Sequence, residues 1–305
     1  MPPDPEIQDT ADHDSVASLL AHEGVAAEAS GRSVRADDGC GVAGRTSAEP
    51  SRPRALPDVT APETPVRAWM RRLRTRPRPW DYCWLTARMN LAVLRRALAG
   101  LPLGARVVDI GCGAKPFAEL LAGTDHFGVD FDGRTAADLV HDLGTPLPLP
   151  DGEADLVLLS EVLEHVPDPE LVLAEAARLL KPGGQLFLSA PFAFPIHGRP
   201  WDYRRFTNYY FESVGAQLPL ELLELEASNN VFTTPLQLVN QLLLSTPGLP
   251  RFVKSAGWLA LNLVSGVAEL ALRPWWRGDG RLGLFLRMNP SGYAARWSKR
   301  TETRD

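Results

Sequence analysis

The middle of the chain alternates between short apolar runs typical of buried strands and apolar residues repeated at helical spacing. A helix is predicted over residues 86–99, since Met89, Val93 and Leu94 fall on one face. Alternating strands and helices predict a mostly parallel sheet with helices on both faces. The predicted strands are 106–110, 126–130, 138–141, 154–160, 185–190, 221–227 and 282–288, and the further helices are 116–122 and 169–180.

A very apolar helical insertion is predicted over residues 231 to about 276, before the last strand. Within it, residues 255–272 contain one charged side chain, which is near the lower limit for a membrane span. Polar residues at helical spacing leave a narrow stripe, so a lid, a homodimer contact or peripheral membrane contact through residues 255–276 is expected ahead of a span. The stripe comprises Ser255, Asn262, Ser265, Gly266 and Glu269.

Composition divides the chain near residue 65. Residues 1–65 hold five arginines, twelve acidic residues and few large apolar ones, so they are predicted to be a disordered acidic tail before a domain over 66–305. Residues 67–78 then carry six arginines, which suit either a solvated helix face or a patch for phosphate or anionic lipid. The net charge of −5 argues against a nucleic-acid partner.

The three cysteines, Cys40, Cys83 and Cys112, form no metal-binding spacing, and no metal site is predicted. Their scatter suits a reducing compartment. The acidic N-terminus has no apolar run typical of a secretory signal. A cytoplasmic protein, with membrane association through the apolar insertion as an alternative, is expected.

A glycine turn follows the first predicted strand in the segment VVDIGCGAKPF, residues 107–117. Side chains at Gly111 or Gly113 would keep the backbone away from a ligand, and glycine tolerates the dihedral angles of such a turn. Pro116 suits the first position of a helix, whose free N–H groups would face an anionic group.

Acidic residues follow the next two strands. Asp130 lies 21 residues after Asp109, at a strand end where a carboxylate can hold ribose hydroxyls. Asp142 can accept from an adenine amino group, and Leu143 can lie against the ring. Pro116 stands where a dinucleotide-binding loop would carry its third glycine, which disfavours NAD.

These segments resemble the class I S-adenosylmethionine-dependent methyltransferases, in particular the broad small-molecule group. The resemblance runs from about residue 106 to 211 and is carried by VVDIGCGAKPF, FGVD, the long segment from HDLGTPLPLPDGEADLVLLSEVLEHVPDPE through KPGGQLFLSAPF, and HGRPWDYRRFT. It implies a Rossmann-like seven-stranded sheet in the order 3-2-1-4-5-7-6, with strand seven antiparallel.

The resemblance also implies S-adenosylmethionine as cofactor and a residue set for it. Lys115 replaces the third loop glycine of the family, so its side chain must point away from the cofactor or reach its carboxylate. The resemblance implies that the methionine part contacts Asp109, Gly111 and Gly113 and that the ribose contacts Asp130. It implies that the adenine faces Asp142 and Leu143 and that Ser160 and Glu161 lie beneath the methyl group.

Two histidines are candidate bases for the acceptor. His165 follows the strand that faces the methyl group, although packing of the next helix would also explain it. His197 lies in a loop at the carboxyl edge of the sheet, where ligands bind in open α/β folds. The same loop offers a substrate wall or, alternatively, a structural corner held by an Asp202–Arg pair. Its candidate substrate contacts are Trp201, Asp202, Tyr203 and Arg204.

The pattern favours an enzyme that methylates a small molecule such as a sugar, a lipid-linked precursor or a secondary-metabolite precursor. Three alternatives stay open: a non-catalytic protein that binds the cofactor or a partner, a methyltransferase of protein or RNA, and an NAD-dependent oxidoreductase.

Overall fold

The computed structural model describes residues 65–133, 135–198, 200–276 and 280–301. The predicted acidic tail therefore lies outside the described residues, apart from its last position. The helices are α1 (Pro65–Thr75), α2 (Trp84–Leu98), α3 (Pro169–Leu179), α4 (Asn208–Gln217), α5 (Thr233–Ser245), α6 (Arg251–Trp276) and α7 (Arg281–Leu286). The strands are β1 (Arg106–Ile110), β2 (Asp125–Asp130), β3 (Leu139–Val140), β4 (Ala154–Ser160), β5 (Leu180–Pro191), β6 (Leu220–Ser228) and β7 (Gly292–Lys299).

The seven strands form one sheet in the order β3-β2-β1-β4-β5-β7-β6. All pairs among β1 to β5 are parallel, and β7 runs antiparallel to both β5 and β6. The predicted fold and strand order are thus confirmed. The fifth strand begins at Leu180 rather than 185, with a register irregularity against β4 before Gln185.

Both faces of the sheet are covered, because successive strand residues point to opposite sides. On β1, Val107 packs with α2, whereas Val108 packs with the cluster that includes residues of α3 and α4. On β4, Leu158 and Leu159 divide in the same way. The carboxyl ends of the parallel strands consequently share one rim, which is where a ligand site belongs in this architecture.

The helix predicted over residues 116–122 is wrong, because the segment forms consecutive turns. The N–H of Ala118 donates to the carbonyl of Lys115 (3.1 Å) and that of Leu120 to Phe117 (2.9 Å), both three residues back. Gly123, at φ +93°, reverses the chain directly after the segment. Burial of Phe117 and Leu121 fixes the turns instead.

The last predicted strand, 282–288, is also wrong: most of it forms α7, and the last strand is β7, ten residues further along. A short apolar run cannot by itself distinguish a strand from a helix. Leu282 and Leu284 are exposed on α7, whereas Trp297 of β7 is fully buried. The insertion before the last strand therefore comprises α5, α6 and α7 and extends to residue 286.

Helix α6 packs on the domain through its polar stripe. Asn262 is 1% exposed and donates to the carbonyls of Pro79 and Asp81, both at 2.7 Å. Glu269 accepts from Asn230 and Thr233, both at 2.8 Å. The outward face is apolar, and by length and composition this helix could cross a membrane. Its exposed residues include Leu259, Leu263, Val264, Val267 and Leu270.

Three of the six arginines in residues 67–78 pair with acidic residues of the domain. Arg72 holds the carboxylate of Asp81 through two hydrogen bonds of 2.6 and 2.8 Å. Arg71 and Arg76 both reach Glu119 on the turns after β1. A structural role thus accounts for half of the six arginines.

Candidate active site

The loops after β1 and β4 are in direct contact. Gly111 has φ +72°, and a Cβ there would lie 2.5 Å from Cγ2 of Val162, the second residue after β4. Any other residue would therefore face both a strained backbone and a clash. Glycine at this position lets the two loops close on each other at the rim.

The loop after β1 is also tied to the end of β2. The N–H of Gly113 donates to Oδ2 of Asp130 at 2.8 Å, and the N–H of Asp132 donates to its Oδ1 at 3.0 Å. Asp130 is 5% exposed. Burial raises the pKa of its carboxyl, although these backbone hydrogen bonds oppose that rise.

Lys115 adopts a left-handed backbone conformation that favours glycine, with φ +50°. Its ammonium group pairs with the carboxylate of Asp138, just before β3. Its stem crosses Gly128, where an added Cβ would lie 2.6 Å from Cε of the lysine. In the structure as described, the long side chain is thus directed to β2 and β3.

The other predicted cofactor residues occupy different settings. Asp109 is buried on β1 and lies 3.1 Å from Nε2 of His126. Asp142 is exposed and accepts the N–H of Gly144 at 2.9 Å, as a turn residue does. Leu143 is buried in the main core cluster. Both follow β3 at the rim shared with Asp130.

Ser160 is the last residue of β4, and Glu161 follows it beside β5. The hydroxyl of Ser160 lies 3.4 Å from that of Ser189, and the N–H of Glu161 donates to the Ser189 carbonyl at 2.9 Å. Glu161 has φ +57° and accepts from Nδ2 of Asn90 at 3.3 Å. The pKa of the Glu161 carboxyl is raised, mainly by burial and to a smaller extent by the nearby Glu164.

A cavity opens beside Glu161 between α2, β5 and β7. Thr86 and Asn90 of α2 reach into it, as do Phe194 and Ser291. Its polar wall is connected: the hydroxyls of Thr86 and Ser291 lie 3.0 Å apart. Sequence reasoning missed these residues, because they come from segments far apart in the chain and share no motif.

A cluster of titratable side chains lies in the turn after β4. Glu164 is fully buried, and its Oε1 lies 3.6 Å from Nε2 of His165 and 3.8 Å from Nε2 of His197. Burial raises the pKa of Glu164 to about 7. Sequence reasoning identified both histidines but missed this glutamate, which a 3-10 turn, Leu163–His165, rotates inward.

The loop after β5 is a braced corner that also reaches the rim. Asp202 accepts from the guanidinium of Arg205 at 2.5 and 2.8 Å and from the N–H of His197 at 2.8 Å. Burial raises the pKa of Asp202, but these partners outweigh it and the net pKa is lowered. Trp201 contacts Phe131, the neighbour of Asp130, with ring centroids 5.7 Å apart.

Tyr203 and Arg204 serve the corner differently. The backbone N–H of Tyr203 donates to the carbonyl of Glu164 at 2.8 Å, and its ring is exposed. Arg204 donates to the carbonyl of Pro167 at 2.9 Å and lies 3.6 Å from Glu170. The structure thus joins Gly111, Gly113, Asp130 and Glu161 around one rim and sets Arg204 against α3.

Comparisons with known proteins find similar proteins for this part of the chain. Residues 84–217 match the family described as "Methyltransferase domain". A ubiquinone biosynthesis O-methyltransferase of Dechloromonas aromatica is 34% identical over 139 residues, which cover 39% of this chain and 54% of that protein. A protein of the same name from Xanthomonas oryzae is 32% identical over 182 residues, which cover 50% of this chain and 66% of its own length.

The match therefore spans less than two thirds of these relatives. A solved SAM-dependent methyltransferase from Archaeoglobus fulgidus is 17% identical, with a TM-score of 0.44 over 76% of this chain and 99% of its own. The matched segment covers the glycine loop, Asp130, Glu161 and the titratable cluster, and it lies in a sheet of the order implied by the sequence. Residues 84–217 are thus similar to methyltransferase domains, and the sheet that holds them has the strand order that the sequence resemblance implies.

Proposed function

We propose that the protein transfers the methyl group of S-adenosylmethionine to a small-molecule acceptor. The observation that carries this proposal is the closure of one rim by three loops. Gly111 meets Val162 after β4, and Gly113 binds Asp130 of β2. Loops that converge at the carboxyl edge of an open sheet form the ligand site of such folds.

The cofactor would lie along this rim, with its parts assigned as the resemblance implies. Asp109, Gly111 and Gly113 would surround the methionine portion, and Asp130 would accept the ribose hydroxyls. Asp142 and Leu143 would face the adenine, while Ser160 and Glu161 would lie beneath the methyl group. The left-handed backbone at Lys115 supports this assignment, because the loop keeps its turn while the lysine side chain pairs with Asp138.

The acceptor hydroxyl would approach the methyl group beside Glu161, at the mouth of the cavity, whose accessible volume of about 20 Å³ suits a group the size of one water molecule. We propose a hydroxyl as acceptor, a choice supported by the O-methyltransferase names of the relatives. The oxygen loses its proton and attacks the methyl carbon while the carbon–sulfur bond breaks, which leaves neutral S-adenosylhomocysteine. Collinear placement about 3–3.5 Å from the methyl group supplies much of the rate.

We propose that His197 or His165 removes the proton from the acceptor hydroxyl or orients its oxygen. The ring of His197 lies 5.0 Å from that of Phe194, which lines the cavity, and the ring of His165 lies 4.8 Å from that of His197. Trp201 and Tyr203 are the proposed substrate wall, since their rings are partly exposed. Asp202 and Arg204 would act indirectly, because both are held within the corner.

We further propose that the outer face of α6 lies on an anionic membrane surface. Its polar stripe is bound to the domain through Asn262 and Glu269, so crossing a bilayer would leave these partners unsatisfied. Exposed arginines, Arg251 and Arg273 on α6 and Arg281 on α7, flank the apolar face. Such flanks favour lipid headgroups over a second copy with the same charges.

Calorimetry with S-adenosylmethionine and with NAD tests the cofactor assignment. The protein should bind the first and not the second. The Asp130→Asn variant should bind S-adenosylmethionine about tenfold or more weakly, because charge-assisted hydrogen bonds to the ribose are lost. Asp125→Asn, at the opposite end of β2, is the matched control and should bind normally. Binding of NAD alone, or equal binding by both variants, would refute the proposal.

Methyl transfer to a panel of hydroxylated small molecules tests turnover. Product formed by the wild type should fall on His197→Ala. Binding of the cofactor without transfer to any acceptor would instead favour the non-catalytic alternative.

Sedimentation with vesicles tests the membrane contact. Vesicles containing anionic lipid should pellet the protein, and Val267→Ser/Leu270→Ser should abolish this. A dimer in solution that dissociates in the same variant, without pelleting by vesicles, would assign the face to a second copy.

A further inference from the structure

Two aromatic side chains meet across the rim, over the ends of two inner strands of the sheet. Phe131 is the first residue after β2, Trp201 lies in the loop after β5, and their ring centroids are 5.7 Å apart. In the sheet, β1 and β4 separate β2 from β5, so the two loops start about 14 Å apart, or three strand spacings. The contact between the rings therefore spans the ends of β1 and β4.

The backbone that carries each ring is tied to the loops between them. Asp130, directly before Phe131, accepts from the N–H of Gly113 in the loop after β1. The carbonyl oxygen of Trp201 lies 2.7 Å from Nδ1 of His165 in the turn after β4. The contact of the two rings thus closes a set of four loops that are already joined in pairs.

Both rings keep free surface beside the proposed cofactor site. Phe131 is 50% exposed and Trp201 is 38% exposed. Their planes make an angle of 62°, an edge-to-face arrangement that leaves ring faces uncovered. Such faces can be covered by another planar aromatic group, and the neighbouring Asp130 offers a carboxylate to a sugar. An aromatic base joined to a ribose has both of these parts.

We propose that Phe131 and Trp201 form an aromatic strap that closes over the nucleoside of S-adenosylmethionine and slows its release. This inference rests on the proposed function, because it takes the cofactor to lie along the rim beside Asp130. Trp201 is then a positioning residue, which holds the nucleoside while the methyl group faces Glu161. Neither ring lines the cavity beside Glu161, so the strap acts on the cofactor, and Tyr203 remains as the wall toward the acceptor.

The rate of cofactor release tests the strap without an acceptor. The full-length protein is loaded with radiolabelled S-adenosylmethionine and chased with an excess of unlabelled cofactor, and the bound label is followed by rapid filtration. Trp201→Ala should release the label about tenfold faster than the wild type, because aromatic contacts with Phe131 and the nucleoside are lost. Trp201→Phe keeps a ring and should restore most of the slow release. Trp80→Ala, at a tryptophan of similar exposure before α2, is the matched control and should release the label as the wild type does.

A double variant separates the strap from two independent contacts. Phe131→Ala/Trp201→Ala should release the label more slowly than the product of the two single effects predicts, because both changes break the same contact. A cooperative unfolding transition in each variant shows that its fold is kept. Equal release by the wild type and Trp201→Ala, or independent effects in the double variant, would overturn the strap.

Acceptor kinetics distinguish the strap from a substrate wall. Trp201→Ala should leave the KM of the acceptor nearly unchanged. A raised KM with unchanged cofactor release would assign Trp201 to the acceptor and overturn the strap. None of these results depends on whether the wild type binds S-adenosylmethionine rather than NAD, so the calorimetry decides the proposed function separately.

Discussion

The central sheet and the α5–α7 insertion contain similarly apolar stretches but arrange them in opposite ways. On β4, every residue from Leu156 to Leu159 is fully buried. On α6, an apolar face is exposed, and the buried residues are Asn262 and Ser265 of the polar stripe together with Trp258. The periodicity predicted the helix but not the face that packs on the domain. That face carries Asn262, which hydrogen-bonds to the loop before α2.

The contrast shows that an apolar segment need not be buried in the domain when another apolar environment, such as a membrane surface, can cover it. The sheet can bury its apolar residues only inside the domain. The insertion satisfies its polar residues inside and presents leucines and valines outside, which suits a lipid surface. Substitutions at matched residue types in the two regions should therefore have very different effects.

The largest expected effect comes from one substitution made in both regions. Leu158→Ala should lower the free energy of unfolding by about 3–4 kcal/mol, because it leaves a cavity between the sheet and α2. Leu270→Ala, at a residue 70% exposed, should change it by less than about 0.5 kcal/mol in the absence of lipid. Urea denaturation measures both, and comparable losses would contradict the outward orientation of α6.

Next in size is the closure of the rim. Gly111→Ala should cost about 2–4 kcal/mol, since it combines a left-handed alanine with a clash against Val162. Gly113→Ala, with open space around the added methyl, should cost about 1–2 kcal/mol. The double variant Gly111→Ala/Val162→Ala should recover part of the clash relative to the sum of its single changes. Equal costs at both glycines would show that the loops do not close in this way.

A smaller effect is expected in the polar stripe. Asn262→Ala should lower the free energy of unfolding by about 2 kcal/mol, because the buried carbonyls of Pro79 and Asp81 lose their donor. The neighbouring Leu263→Ala, on the exposed face, should be nearly neutral. If the order were reversed, the apolar face rather than the stripe would be the packed one.

The smallest effect concerns the carboxyl at the end of the stripe. Burial raises the pKa of Glu269, although Thr233 and Asn230 oppose this rise by donating to it. The folded state therefore holds its proton to higher pH than the unfolded state, and ionisation costs stability as pH rises above about 4.5. Glu269→Gln should match the wild type in unfolding free energy near pH 4 and exceed it slightly at pH 7. An advantage at pH 4 that vanishes at pH 7 would contradict the sign.

Much of the fold was predictable, because β4 and the second half of β5 are nearly continuous apolar runs and recognisable turns follow β1 and β4. The last strand was not, since β7 is built around Ala294 and Ala295 and an arginine that reaches Gln185. Its large buried side chains, Tyr293 and Trp297, are separated by two alanines and an arginine, so the segment has no apolar run that predicts a strand. In α7 the reverse holds: Leu284 and Phe285 are apolar but exposed.

The position of a residue at the rim was predictable where a motif or the end of a strand marks it. Gly111 and Asp130 lie at the rim, as the glycine turn and strand ends indicated. Glu164 was not predictable in the same way, because its burial depends on the direction of a single 3-10 turn. The spacing Glu-Val-Leu-Glu-His was the available signal, and only the meeting with His197 gives it meaning.

The central claim is that loops along one edge of the sheet hold S-adenosylmethionine. A crystal structure of the full chain with S-adenosylhomocysteine tests it most directly. We expect the nucleoside beside Asp130 and the homocysteine portion across Gly111 and Gly113, with the sulfur directed toward Glu161. Density for the ligand away from this rim, with Asp130 still bound only to Gly113 and Asp132, would contradict the account.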